Sequence, residues 1–189
     1  MVLPVEQMQR EKERNSLAAV LVKPVPRNSF VAGKYMGFCI VLGLVAVAMT
    51  GLILLMVRWR GAAFDINVFK ASCMILCQGC VLASWGVLIG VLFSSHFLSV
   101  LCGISIYLLG NLLEPLHEWV EHAQSAGLKL AAILILYLVP HLENLNMQDT
   151  VALGQTVPWN YMGENALYSL GYSLVIVVFS AIAFNQKDF

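Results

Sequence analysis

Residues 35–57, YMGFCIVLGLVAVAMTGLILLMV, form an uncharged apolar run between Lys34 and Arg58. A helix rises about 1.5 Å per residue, so roughly 20 apolar residues are needed to cross a hydrocarbon core of about 30 Å. This run is long enough, and it predicts a membrane-spanning helix. Three further apolar runs repeat the pattern, at about 71–93, 97–113 and 167–184. The sequence therefore predicts an all-α integral membrane protein with four transmembrane helices.

The composition agrees with this fold class. Of 189 residues, 59% are hydrophobic and only 12% are charged, which is too apolar for an ordinary soluble domain. The formal net charge is zero, whereas a nucleic-acid partner would require a basic face. The five cysteines lie in or beside apolar runs, so they do not indicate a secreted disulfide framework.

Residues 128–139 form a fifth apolar run, which is short for a full crossing. It ends before Pro140 and suits a re-entrant or interfacial helix. From 114 to 164 the chain holds six acidic residues but one basic residue, Lys129. Because basic residues collect on the cytoplasmic side, this region is predicted outside and both chain termini in the cytoplasm. A full crossing would instead put the C-terminus outside, and Arg58, Arg60 and Lys70 fit this topology poorly.

Residues 1–34 are predicted to be a cytoplasmic segment, with residues 35–189 as the transmembrane domain. Six of the eleven Lys and Arg residues lie here. Ser16 is placed to cap a short helix over 17–22 that ends before Pro24. A polar half followed by an apolar half favours an amphipathic helix at the membrane surface. The alternative is a basic flank that only orients the first span.

A more specific pattern lies within this segment, in Glu11-x-Glu13-Arg14-Asn15-Ser16-Leu17, Leu21, Pro24-Val25-x-Arg27, Phe30 and Gly33-Lys34. It resembles a signature of type-2 ABC transporter permeases: a Glu-rich run, a Gly-Thr-Leu-like step, a Leu-rich turn, Pro-Val-Ser-Arg, an aromatic residue and Gly-Lys. Asn15-Ser16 stands where Gly-Thr is usual, and Pro26 where Ser is usual. Residues 140–146 and 183–189 also resemble family segments, so the resemblance covers nearly the whole chain.

The resemblance implies a cytoplasmic coupling element that docks on a separate ATPase subunit. It places the contacts with that partner at Glu11, Glu13, Arg14, Ser16, Leu17, Leu21, Pro24 and Arg27. It also implies a second permease chain, as a homodimer or heterodimer, in the lipid bilayer of the inner membrane. Such permeases have six membrane helices, with the coupling element between the second and third. This chain is therefore expected to be a fragment or a shortened subunit that relies on other chains.

The chain itself is not expected to be an enzyme. Gly33-Lys34 is followed by Tyr35, and Asn28 occupies the position where a phosphate-binding loop requires Gly. ATP and Mg are thus expected in the partner, with no cofactor bound by this chain. The predicted function is a permease subunit that couples ATP hydrolysis to translocation, in the export direction. The alternative is a non-transporting subunit, structural or metal-handling, of a larger complex.

Two clusters offer candidate metal ligands, although no metal site is expected. In the segment 117–122, His117, Glu121 and His122 carry suitable ligand atoms, but the H-E-x-x-E-H spacing is not that of zinc peptidases. A solvated interfacial helix explains this segment equally well.

A second cluster lies in the predicted span 71–93, where Cys73, Cys77 and Cys80 share one helical stripe. Thiolates there could hold a soft metal, but small packing residues are the favoured interpretation. In the same span, Gly79, Gly86 and Gly90 are predicted to allow close helix packing, within the subunit or across a dimer.

Overall fold

The computed structural model describes residue 5 and residues 27–61, 66–93, 95–112, 139–153 and 155–186. Within these ranges every regular element is helical, which confirms the predicted class. The elements are α1 (Arg27–Trp59), α2 (Ile66–Leu92), α3 (His96–Asn111), a 3₁₀ turn (Glu143–Leu145), α4 (Gln148–Ala152) and α5 (Trp159–Gln186).

Among the described residues, three helices are long and apolar enough to cross a membrane: Ser29–Trp59, Ile66–Leu92 and Trp159–Gln186. The predicted span at 97–113 corresponds to α3, an apolar helix of 16 residues. At 1.5 Å per residue α3 is about 24 Å long, less than the hydrocarbon thickness of about 30 Å. The structure therefore supports three long spans and one shorter apolar helix, and a fourth full crossing stays a prediction.

The long helices extend beyond the predicted uncharged runs. The first begins at Arg27 rather than at residue 35, and the last begins at Trp159 rather than at 167. Hydrophobicity reports the part of a helix inside hydrocarbon, whereas backbone hydrogen bonding continues into the interfacial region. The far end of α1 is closed by Gly61, whose φ of 72° suits a residue without a side chain. Its N–H donates to the Arg58 carbonyl at 3.0 Å.

Contacts between helices fix their directions. Leu42 of α1 lies against Gly79 of α2, and Gly43 lies against Leu76, so these two helices are antiparallel. Near the start of α1 and the end of α5, the rings of Phe30 and Phe184 stack with centroids 5.8 Å apart. The start of α1 and the end of α5 therefore share one end of the bundle. We call this the proximal end and the opposite one the distal end.

The segment between α3 and α5 leaves and returns at the distal end. The Leu142 N–H donates to the Gly110 carbonyl near the end of α3 at 3.2 Å, and the Lys70 ammonium donates to Val157 at 2.8 Å. α2 and α5 are therefore parallel to each other. The predicted re-entrant run 128–139 lies outside the described residues except for Val139, which is buried.

Buried apolar side chains form one cluster at each end. The proximal cluster joins α1, α2 and α5 through Val31, Val87, Val91 and Phe184. The distal cluster joins α2 to the segment before α5 through Met74, Val81, Leu142, Leu145, Met147 and Val157. By contrast, the most hydrophobic stretch of 18 residues in α1 contains no buried residue. This helix therefore lies at the edge of the bundle, open to lipid or to another chain.

Candidate functional site at the distal end

A buried lysine near the start of α2 organises the distal end. Lys70 is only 5% exposed, and its ammonium donates to the Val157 carbonyl at 2.8 Å. The same nitrogen lies 4.4 Å from the ring centroid of Trp159. Burying a charge is unfavourable unless it has partners, and a desolvated cation–π contact is worth about 2 kcal/mol. These two contacts therefore hold the entry to α5 against α2.

The apolar side chains of the distal cluster complete this attachment. Leu142 and Leu145 are fully buried, and Met147 and Val157 are nearly so. They pack on the α2 face that carries Met74. An irregular segment next to the membrane is tolerated where protein covers it and satisfies its backbone. The described residues between 139 and 158 are thus a docked part of the fold at this end.

Gly110 makes the docking possible on the α3 side. A Cβ atom at this position would lie 2.6 Å from Leu142 Cδ1 and 3.1 Å from the Pro140 carbonyl oxygen. Contacts under 3.0 Å force a shift, and the nearby Pro140 carbonyl belongs to the backbone. Only glycine therefore lets the backbone of α3 approach the segment this closely.

A line of aromatic side chains runs from the distal surface into the bundle. The backbone N–H of exposed His141 donates to the Tyr168 hydroxyl at 3.3 Å. Tyr168 lies beside Tyr172, with ring centroids 5.7 Å apart, and the Trp85 indole N–H donates to the Tyr172 hydroxyl at 3.3 Å.

An interfacial aromatic belt accounts for only part of this line. Tyr and Trp are common at the headgroup level, which accounts for Trp159. Tyr172 lies about 20 Å further along α5, at 1.5 Å per residue, and so it reaches well into the span. Polar groups at that depth usually pair with each other, as Tyr172 and Trp85 do here.

Removal of the Lys70 charge provides a direct test of the distal attachment. We expect Lys70→Met to raise amide hydrogen exchange in residues 139–158 by about 10- to 100-fold, since a charged hydrogen bond contributes about 1.5–3 kcal/mol. The apolar stem is kept, so lost packing would not explain the change. Arg58→Met, at the exposed end of α1, is the matched control. Equal exchange in the two variants would contradict the role assigned to Lys70.

The predicted packing glycines lie in contact regions of α2. Gly86 and Gly90 are buried. A Cβ atom on Gly79 would lie 3.3 Å from Leu42 Cδ1 of α1.

The predicted cysteine stripe divides between two environments. Cys77 packs against the distal cluster, whereas Cys80 lies on the part of α2 that faces α1. In the part of the chain that the structure describes, no three His, Cys, Asp or Glu side chains are grouped to hold a metal. The other candidates, His117, Glu121 and His122, lie outside the described residues.

The predicted ATPase contacts also lie outside them, with one exception. Arg27 is the first residue of α1, while the predicted contacts from Glu11 to Pro24 lie outside the described residues. The coupling helix therefore stays a prediction.

The sequence did not single out Lys70 or Gly110 as site residues. Lys70 appeared only as a poor fit to the charge rule. Its signal is a lone cation several residues inside an apolar helix, which requires a partner when it is buried. Gly110 carries a weaker signal, a glycine followed by Asn111 at the end of an apolar run, because such a pattern also suits a simple helix end.

Comparison with known protein families agrees with this architecture. The chain matches the ABC-2 family transporter protein over residues 2–189, and it belongs to this family. No curated protein and no solved structure matches it. The resemblance to a type-2 ABC permease is thereby confirmed. The chain is a multi-pass membrane component of an ABC transporter, and this component is not itself catalytic.

Proposed function

We propose that this chain is the permease subunit that couples ATP hydrolysis in a separate ATPase subunit to export of a substrate. The family match over residues 2–189 is the observation that carries the proposal. In this assignment ATP and Mg belong to the ATPase, and residues 9–30 form the contact with it. The proximal end faces the cytoplasm, with both termini on that side of the inner membrane.

The continuity of α1 supports a mechanical role for that contact. α1 runs from Arg27 to Trp59 as one helix of 33 residues, which is about 50 Å long. A displacement at Arg27 is therefore carried to the distal end without a hinge among the described residues. Closure of the ATPase would rock α1 against the other helices, in an alternating-access cycle.

The packing around α1 supports such a movement. Among the described helices, α2 and α5 share the most extensive interface, and α1 lies beside them. An apolar groove of about 190 Å³ lies between α1 and α2, bordered by Leu42, Met49, Ile75 and Gly79 among others. Small residues at this interface let the two helices approach closely, and the groove leaves space beside α1. In the proposed cycle the contacts of Lys70 keep the distal end closed until α1 moves.

The exposed face of α1 supports a further chain in the assembly. Leu44 and Val47 are 67% and 72% exposed, so this face meets either lipid or the second permease chain. We assign the subunit to a homodimer or heterodimer, because one set of these helices leaves a pathway without a second wall.

Charge reversal in the proposed coupling segment tests the ATPase contact. We expect Glu11→Lys with Arg14→Glu to reduce co-purification of a co-expressed partner ATPase by at least about tenfold, a loss of about 1.4 kcal/mol. Arg58→Glu with Arg60→Glu is the control, since both residues are exposed at the distal end of α1. Unchanged association of every co-expressed ATPase with the first variant would refute the coupling role.

A further inference from the structure

The register between α1 and α2 brings two cysteines face to face. Leu42 lies against Gly79 and Gly43 against Leu76. Because the helices are antiparallel, the next turn of α1 toward the proximal end places Cys39 opposite Cys80. The two side chains accordingly interact with each other across the helix interface. Both are half-buried and neither forms a disulfide.

α5 closes the third side of this pair. The Tyr35 side chain, one turn before Cys39 on α1, interacts with both Cys39 and Ser173 of α5. Ser173 is only 2% exposed, and its hydroxyl donates to the Ser169 carbonyl. Cys39, Cys80, Tyr35 and Ser173 thus meet at the junction of three helices. We call these four residues the thiol junction. Paired ionisable groups at such a depth are candidates for a function.

We propose that Cys39 and Cys80 form a two-sulfur site for one soft monovalent metal ion, Cu⁺ or Ag⁺. Soft sulfur ligands select such ions over hard ones. Zn²⁺ would require about four ligands in a structural site, whereas the junction offers two sulfur atoms. The site differs from the stripe that the sequence indicated, because Cys77 packs against the distal cluster.

The complex of the metal ion with the two sulfur ligands would carry no net charge, which suits an apolar environment. One thiol gives up its proton and binds as thiolate, the other binds as the neutral thiol, and the metal brings one positive charge. The complex is then neutral, and one proton is released for each ion bound. A neutral complex avoids the large penalty for burying an unpaired charge. Tyr35 would position Cys39 through its contact with that side chain, as an outer partner of the ligand.

The test uses the full-length, reduced chain in detergent and Ag⁺ as the probe. We expect one tightly bound ion per chain by elemental analysis after desalting. Loss of an outer partner typically weakens metal binding 10- to 100-fold, so loss of a ligand in Cys39→Ser or Cys80→Ser should exceed about 100-fold. Cys102→Ser, which changes a half-buried cysteine of α3, is the matched control and should bind as the unaltered chain does.

A second measurement keeps the proposal testable if the serine variants unfold. In the unaltered chain, Ag⁺ should protect Cys39 and Cys80 from maleimide labelling but leave Cys102 reactive, as read by peptide mass spectrometry. Retained binding in either ligand variant, an equal loss in Cys102→Ser, or equal protection of all cysteines would overturn the site. The test involves no ATPase, so its outcome is separate from that of the coupling experiment.

Discussion

Gly110→Val is expected to lower the free energy of unfolding by about 3 kcal/mol, at the upper part of the usual range for overpacking. The added side chain would occupy the position of Leu142 Cδ1, because a Cβ atom alone would lie 2.6 Å from it. Leu142 is fully buried and cannot move outward without leaving the distal cluster. Thermal unfolding in detergent measures the loss, and hydrogen exchange should show it first in residues 139–147.

The matched control for this change is Gly171→Val in α5. No atom lies within 4 Å of the Cβ position of Gly171, and this residue is exposed. The substitution adds the same side chain inside a helix without a clash. The close approach of α3 and the docked segment would be wrong if both variants unfolded at the same temperature.

Phe184→Ala is expected to destabilise the proximal end by about 3–5 kcal/mol, as large-to-small changes of buried aromatic residues do. Phe184 is 1% exposed and stacks on Phe30, with ring centroids 5.8 Å apart. Its removal leaves a cavity between α1, α2 and α5, where Val31 and Val91 would lose their packing partner. The same thermal unfolding measurement applies. Cross-linking between a cysteine introduced at the start of α1 and another introduced at the end of α5 should become less efficient.

Phe179→Ala is the matched control for Phe184→Ala, because it removes a phenyl ring from the same helix outside the proximal cluster. Phe179 lies on the same helix but is 60% exposed, and in the membrane its ring faces lipid or another chain. It should change stability by less than about 1 kcal/mol, since apolar contact with lipid replaces apolar contact with protein. A loss as large as that of Phe184→Ala would show that the proximal cluster does not join the three helices.

The positions of the long helices could be predicted from the sequence, but their ends could not. Apolar length reports how much helix lies in hydrocarbon, so the runs at 35–57 and 167–184 marked the centres of α1 and α5. Apolar length does not predict the part of α1 from Arg27 to Lys34, where the same helix continues among polar residues. The family, in contrast, could be predicted from a local pattern of Glu, Pro, Arg and Gly, and the full-length match confirms it.

The distal site could not be predicted because it depends on residues far apart in the chain. Lys70 and Val157 are separated by 87 positions, as are Trp85 and Tyr172. No single stretch contains both members of such a pair. The cysteines illustrate the same limit. The spacing of Cys73, Cys77 and Cys80 shows that they share a helix, but it contains no information on Cys39, which lies opposite Cys80 only after α1 has packed.

Because α1 is one unbroken helix, it also fixes the direction, around the helix axis, from which the preceding chain enters it. Each residue of an α-helix turns the chain by about 100°, so the direction in which the chain enters α1 is set by the number of residues between Arg27 and Leu42. Inserting one residue there would swing the preceding segment about a quarter turn around the helix axis. Inserting seven would restore its direction to within about 20°. The face that the segment presents to its surroundings is thus encoded in a count of residues, separately from the side chains it carries.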